Sequence, residues 1–172
     1  GIRVTLIVPW GNKIKKYRSV DDLISMTDLA PTFIDAAGLS IPSSMSGKSF
    51  MDLLLSDQSG QVRAKDNRVY TAIERHGRQS LYPSRSIRSQ DFQLIWSALP
   101  ENNPIAVDGG PIKDVLINNK VSQPYYYKLA IGKRPEYELY DVKADPYNMD
   151  NLSEDPLYQD VLYELKSQLF QY

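Results

Sequence analysis

The chain has 172 residues, of which 42% are hydrophobic and 24% charged, enough for one compact globular domain with a real core. Twenty basic and 21 acidic residues nearly cancel, so no long-range field favours nucleic acid or an anionic membrane as a partner. Cysteine is absent, which excludes disulfides, thiolate metal sites and a cysteine nucleophile in this span. No long apolar run and no signal-peptide pattern occurs, so we expect neither a membrane span nor a leader within this sequence.

The first element is an apolar run over residues 2–10, rich in β-branched side chains and ending near Pro9. This pattern predicts a fully buried strand, which needs neighbouring strands on both sides. The following residues 11–17 are polar and basic and offer no such neighbour. We therefore expect residues 2–8 to be a strand left over from a larger parallel sheet; the alternative is a strand of this domain's own sheet.

The next element is a helix predicted within residues 25–38. Asp28 can cap its free amides, Pro31 fits only the first turn, and Gly38 supplies a left-handed exit. Its apolar side chains recur at helical spacing, so we interpret it as a core helix. A further one or two helical turns are expected over residues 50–55.

A polar linker, residues 56–67, separates these helices from a region of short strands. The alternation of apolar and polar side chains predicts an antiparallel sheet of about four strands. The predicted strands cover residues 68–74, 85–88, 92–96 and 136–142.

Between the third and fourth predicted strands lies a long connection, residues 99–135, in which residues 111–118 could form a helix. The last element is a helix that begins at Asp155, with Pro156 in its first turn. Its leucine and valine side chains recur every four residues, so this helix should cover one face of the sheet.

The candidate functional residues are Glu74, Arg75 and His76, which open the segment Glu-Arg-His-Gly-Arg at the end of a predicted strand. Strand ends that lead into loops often carry function. His76 can donate a hydrogen bond to a sugar hydroxyl or a sulfate oxygen, and an arginine can bind sulfate with its planar fork. Glu74 can accept from hydroxyls or hold an arginine. The alternative is a solvated loop with a local ion pair.

Several short motifs together resemble the C-terminal part of the sulfatases. The most specific is Glu-Leu-Tyr-Asp at residues 138–141, followed by Asp145-Pro146 and Asn151-Leu152. The opening residues 1–8 and the Thr-Asp-Leu-x-Pro-Thr sequence at residues 27–32 also fit that family. The motifs extend over nearly the whole chain.

A narrower resemblance is to the sulfatase group that contains heparan N-sulfatase (sulfamidase) and its bacterial relatives. The matching residues are His76, Tyr82, Pro83, Arg85, Ile87 and Arg88, with residues 92–95 and the tyrosines at 125–127. In that group the loop after the first strand reaches the active-site cleft. The resemblance therefore implies that His76 contacts substrate, with Glu74 and Arg75 next, while Arg85 and Arg88 brace the sheet.

The resemblance implies an α+β fold: a small antiparallel sheet packed against a C-terminal helix, preceded by a strand and helix left over from a larger α/β, alkaline-phosphatase-like domain. Residues 1–60 would end that larger domain, and residues 61–172 would form the C-terminal subdomain. It also implies a parent enzyme that hydrolyses a sulfamate or sulfate ester on a glycosaminoglycan sugar. Its partners would be the sulfated sugar and the missing N-terminal domain.

Sulfatases use a formylglycine nucleophile and a Ca²⁺ ion, which the resemblance places in the missing N-terminal part. This chain alone should then be inactive. The sequence Pro83-Ser84-Arg85 imitates part of the nucleophile motif, but Leu81 occupies the nucleophile position and leucine cannot become formylglycine. A bacterial parent, which we favour, would act in the periplasm or outside the cell, and a eukaryotic one in the lysosome.

Two other interpretations stay open, a non-catalytic carbohydrate-binding or packing module and a phosphodiesterase-type relative of the alkaline phosphatases. Two local features also need explanation. Asn148 stands where sulfatases usually have glutamate, and Asn151-Leu152-Ser153 fits the N-glycosylation pattern. We expect the asparagine at 151 to have a structural role instead.

Overall fold

The computed structural model describes residues 4–14, 16–63, 67–75, 81–100, 102 and 109–172. The chain divides into two compact units, Gly1–Val69 and Tyr70–Tyr172. Within the described ranges, no helix is both long enough and apolar enough to cross a membrane. That residues 1–60 complete a larger α/β domain stays a prediction.

Helices of the first unit follow the predicted pattern. A 3₁₀ turn, Met26–Asp28, leads directly into α1, Leu29–Ala36, and α2 is Met51–Leu55. The side chain of Ser25 caps the first turn, and Gly38 leaves α1 with a φ of 73°, in the left-handed region that glycine tolerates. The prediction of a helix within residues 25–38 is confirmed. Its interpretation as a core helix is wrong for this structure, because Phe33 is 68% exposed and the buried residues of α1 are Pro31 and Thr32.

The apolar run at the start of the chain is not paired as a strand in this structure. Residues 4–10 have no strand conformation, and the side chains of Val4 and Ile7 are 75% and 80% exposed. The alternative that this segment joins the domain's own sheet is therefore not supported for its described part. That its neighbours lie outside this chain stays a prediction, since an apolar strand needs partners that the described residues do not supply.

Two motif residues of α1 bind the loop that precedes α2. The carboxylate of Asp28 accepts hydrogen bonds from the backbone amides of Ser25 and Lys48, both at 2.8 Å. The hydroxyl of Thr32 donates to the Asp28 carbonyl at 2.6 Å and accepts from the amide of Phe50 at 3.1 Å. The Thr-Asp-Leu-x-Pro-Thr sequence therefore both starts the helix and fixes the following loop to it.

The second unit is built on a four-stranded sheet with the order β1-β2-β3-β4. Its strands are β1 Val69–Ile73, β2 Ser84–Arg88, β3 Phe92–Ser97 and β4 Tyr137–Asp141. The pairs β2–β3 and β3–β4 are antiparallel. The predicted α+β fold and its small sheet are confirmed.

One face of this sheet carries the apolar core and is covered by the C-terminal helix α5, Gln159–Gln171. Side chains of successive strands meet on this face because the register pairs Ile87 with Leu94 and Leu94 with Leu139. All three are fully buried, and they pack against Leu165 and Leu169 of α5. Burying a leucine or isoleucine contributes about 1.5–3 kcal/mol, so this contact is the main apolar stabilisation of the second unit.

The long connection between β3 and β4 contains two helices, α3 Pro111–Asn118 and α4 Pro124–Ile131. The first was predicted with these bounds. The second was not, because its start is a proline followed by three tyrosines and shows no clear apolar stripe in the sequence. Proline at the first helical position fixes the start of each helix.

The turn between β4 and α5 explains both local features noted in the sequence. Asn148 has a φ of 55°, a left-handed conformation that asparagine adopts far more readily than glutamate. The Asn151 carboxamide accepts from the amide of Leu139 at 2.8 Å and donates to the Tyr137 carbonyl at 3.2 Å. The Asn151 carboxamide thus ties the turn to β4 through both its oxygen and its nitrogen, which is the structural role expected for it.

We predict that Gly47→Ala destabilises the chain by about 2 kcal/mol or more, because it overpacks the loop before α2. A Cβ atom at Gly47 would lie 2.1 Å from the Thr27 carbonyl oxygen, which is backbone and cannot rotate away. The free energy of unfolding from urea titrations measures the effect. Gly109→Ala is the control, since a Cβ there meets no atom within 4 Å; equal stability of the two variants would contradict the prediction.

Candidate functional site

The loop that carries the candidate substrate contacts begins directly after β1. Glu74 and Arg75 are both exposed, and His76 lies outside the described residues together with positions 77–80. The Glu74 carboxylate accepts a hydrogen bond from the Arg85 guanidinium at 3.3 Å, with side chains 64% and 53% exposed. Such an exposed pair contributes little to stability. The local ion pair of the alternative interpretation therefore exists, and Glu74 is held by an arginine.

Glu74, at the described start of this loop, lies at the edge of the sheet where β2 starts and β3 ends. Thr71 of β1 lies beside Ser86 of β2, with their hydroxyl oxygens 2.8 Å apart, and Glu74 reaches Arg85, so the end of β1 adjoins the start of β2. Ser84 in turn pairs with Ser97. We call this edge, formed by the end of β1, the start of β2, the end of β3 and the start of β4, the loop edge.

A cavity of about 320 Å³ opens at the loop edge, on the face of the sheet opposite α5. The placement follows from the alternation of side chains along the strands, because Ser84, Ile95 and Glu138 point away from the apolar core. The residues that line the cavity are Tyr82, Pro83, Ser84, Ile95, Ser97, Leu99, Asn102, Ala130, Arg134 and Glu138.

The most constrained charged group in this cavity is the carboxylate of Glu138. The residue is 8% exposed, and its Oε1 accepts a hydrogen bond from the hydroxyl of Tyr140 at 2.8 Å. Burial, and then the neighbouring Glu138 carboxylate, raise the pKa of the Tyr140 phenol far above its usual value, while the positive charge of Arg134 opposes the shift. Tyr140 therefore remains a hydrogen-bond donor to Glu138 at all physiological pH values.

Two further polar side chains in the cavity are positioned by backbone carbonyls. The guanidinium of Arg134 donates to the carbonyl of Leu129 at 2.9 Å, and the amide of Asn102 donates to the carbonyl of Leu81 at 2.6 Å. An arginine has five N–H donors, and the Asn102 oxygen can accept. The cavity thus offers donors and acceptors together, an arrangement suited to hydroxyl groups.

Sequence reasoning did not find this cavity, although it named residues on two sides of it. Tyr82, Pro83 and Glu138 were noted only as motif residues. The available signal was the spacing of Glu138 and Tyr140, two residues apart in a strand and so on one face. Within the described ranges, no group of three or more histidine, cysteine, aspartate or glutamate side chains could hold a metal ion.

Comparisons with known proteins point to one family. A model of the family described as "N-sulphoglucosamine sulphohydrolase, C-terminal" matches residues 1–108. An ulvan-active sulfatase of Formosa agariphila is 28% identical over 99% of this chain and 32% of its own length. The human N-sulphoglucosamine sulphohydrolase is 26% identical over 93% of this chain and 33% of its own length. The chain thus spans about a third of these relatives.

Solved structures give the same result for the fold. A structure of a protein in complex with its substrate D-glucosamine-2-N,6-O-disulfate matches 84% of this chain and 22% of its own, with a TM-score of 0.54 and 26% identity. A structure described as a putative sulfatase from Bacteroides fragilis matches 93% of this chain and 27% of its own, with a TM-score of 0.59 and 18% identity. At that identity the second likeness concerns the fold alone.

We predict that Tyr140→Phe changes the alkaline stability of the chain. An unfolded tyrosine ionises near pH 10, whereas folded Tyr140 keeps its proton because its pKa is raised. The stabilisation that the Tyr140 hydroxyl gives to the folded state is therefore complete below about pH 10. It is lost as the pH rises further, because the unfolded tyrosine then ionises. The wild type should be more stable than Tyr140→Phe by about 1 kcal/mol at pH 8, and this difference should shrink above pH 10.

Urea titrations between pH 8 and about pH 11 measure this difference. Tyr147→Phe is the matched control, because it removes the same hydroxyl from a tyrosine that is 83% exposed. A Tyr140→Phe difference that stays constant across the range would contradict the linkage.

Proposed function

Because the chain belongs to the N-sulphoglucosamine sulphohydrolase C-terminal family, we propose that it is the C-terminal part of a sulfatase. The parent enzyme hydrolyses a sulfamate or sulfate ester on a glycosaminoglycan sugar. In it this chain supplies structural support and substrate contacts. The observation that carries the proposal is the family match over residues 1–108.

The choice of a glucosamine-type sugar is supported by the names of the relatives. One is an N-sulphoglucosamine sulphohydrolase, another an N-acetylglucosamine-6-O-sulfatase of Bacteroides thetaiotaomicron, and a solved structure holds a glucosamine disulfate. Both N- and O-linked sulfate occur in this set. The parent therefore acts on sulfated glucosamine, with sulfamate as the first candidate.

The reaction needs groups that the proposal places in the N-terminal part of the parent. These are the formylglycine nucleophile and a Ca²⁺ ion, which supply the attack on sulfur and the stabilisation of charge on the sulfate oxygens. The described residues include no acidic cluster suited to such an ion. The parent would work in the periplasm or outside a bacterial cell, or in the lysosome of a eukaryote.

In this arrangement the loop after β1 provides the substrate contacts. His76 donates a hydrogen bond to a sugar hydroxyl or sulfate oxygen, and Arg75 adds positive charge for an anionic sugar. Glu74 pairs with Arg85 at 3.3 Å, so it positions that arginine and can accept from a sugar hydroxyl with its remaining acceptor positions. The exposure of Glu74 and Arg75 leaves both accessible to a ligand.

Sulfate release by the full-length protein tests the proposal. N-sulfoglucosamine and an O-sulfated glucosamine are compared side by side, and release from the first is expected. Release from the O-sulfated sugar alone would keep the family activity and change the specificity. Release from neither would overturn the proposal and favour phosphodiester chemistry or a non-catalytic module.

We also predict that His76→Ala in the full-length enzyme lowers turnover at least tenfold, because it removes a hydrogen bond to the substrate. The melting temperature should stay nearly unchanged, since a side chain at a strand-end loop contributes little packing. Steady-state kinetics and thermal unfolding measure the two quantities. Gln58→Ala, at an exposed position of the first unit, is the control; full activity of His76→Ala would refute the contact.

A further inference from the structure

The proposed function assigns a role to the loop after β1 but none to the cavity at the loop edge. Its volume of about 320 Å³ lies at the lower end of the range that holds small ligands, about 300–1,000 Å³. That volume suits a single sugar ring rather than a chain of several. The cavity belongs entirely to the second unit.

The buried carboxylate of Glu138 is the main reason to assign a ligand to this cavity. Placing a charged group where it is 8% exposed is costly unless hydrogen bonds compensate. A carboxylate has about four acceptor positions, and among the described residues its side chain accepts from Tyr140 alone. Glu138 thus retains the capacity to accept from a ligand in the cavity.

The other lining groups define the chemistry of that ligand. Arg134 is a donor, and the hydroxyls of Ser84 and Ser97 can donate or accept. Tyr82 and Ile95 add apolar surface. A pyranose ring matches this combination, because it presents hydroxyl groups around its rim and C–H groups on its faces. The negative charge of Glu138 repels a sulfate group, and the positive charge of Arg134 in the same lining at most balances it.

We propose that this cavity binds one unsulfated, hydroxyl-bearing pyranose unit of the substrate, next to the sulfated unit that the parent hydrolyses. Glu138 accepts hydrogen bonds from ring hydroxyls, Tyr140 fixes its carboxylate, and Arg134 donates to a ring or linkage oxygen. The proposal rests on the proposed function for the carbohydrate nature of the ligand.

The test uses the 172-residue chain and N-acetylglucosamine as the unsulfated probe, with saturation-transfer NMR to detect binding. The wild type should give a saturable signal, which yields the dissociation constant. Ala130→Leu should weaken binding at least fivefold, because Ala130 lines the cavity and a leucine there adds bulk to the lining. Leucine is a good helix former, so α4 should tolerate the change.

Two further variants separate the cavity from general effects. Ala30→Leu makes the same substitution at an exposed helical position of the first unit and should bind like the wild type. Glu138→Gln keeps the side-chain size and an acceptor for Tyr140, and it should weaken binding at least fivefold. Absence of a signal from the wild type, or equal binding by Ala130→Leu and the wild type, would overturn the proposal.

This result is independent of sulfate release, which needs the nucleophile of the parent. Sugar binding without sulfate release would leave the cavity as a carbohydrate site and remove the enzymatic proposal. Sulfate release without sugar binding by the chain would support the enzymatic proposal and overturn the assignment of the cavity as a sugar site. Each proposal can therefore fail alone.

Discussion

The packing of α5 against one face of the sheet is the contact on which the second unit depends. Ile87, Leu94 and Leu139 come from three adjacent strands, and each is completely buried beneath the helix. Because side chains alternate along a strand, fixing these three also fixes which residues face the other way. A slip of one residue would exchange the two faces, so the apolar core determines the register and, through it, the position of every polar group on the opposite face.

The functional consequence lies on that opposite face. Glu138 and Tyr140 flank Leu139, so the same register that buries the leucine brings the carboxylate and the phenol together, with 2.8 Å between their oxygens. The sheet order then brings the end of β1 and the start of β2 to the same edge as this pair. A rigid scaffold with an open loop edge is the usual arrangement for a binding region, because the strands hold position while the loop adapts.

The sequence predicted much of this fold and less of the site. The sheet strands, α3 and α5 follow from alternation, proline placement and four-residue spacing, which are local signals. The helix α4 was missed because its tyrosines show no apolar stripe, and the cavity was missed because it forms only when Glu138, Arg134 and Tyr82 are brought together by pairing across the sheet. The apolar run at the start of the chain was predicted as a strand from its composition. Its described part forms no strand in this structure, because strand formation needs a partner strand as well as a suitable sequence pattern.

The central claim is that the loop edge of this sheet faces the substrate in the parent enzyme. The most direct test is a crystal structure of the full-length protein bound to a sulfated glucosamine saccharide. The account predicts electron density for the sugar in contact with the loop after β1, at the edge where β2 starts and β3 ends. A bound saccharide that contacts neither this loop nor the cavity would contradict it, as would a loop edge covered entirely by protein.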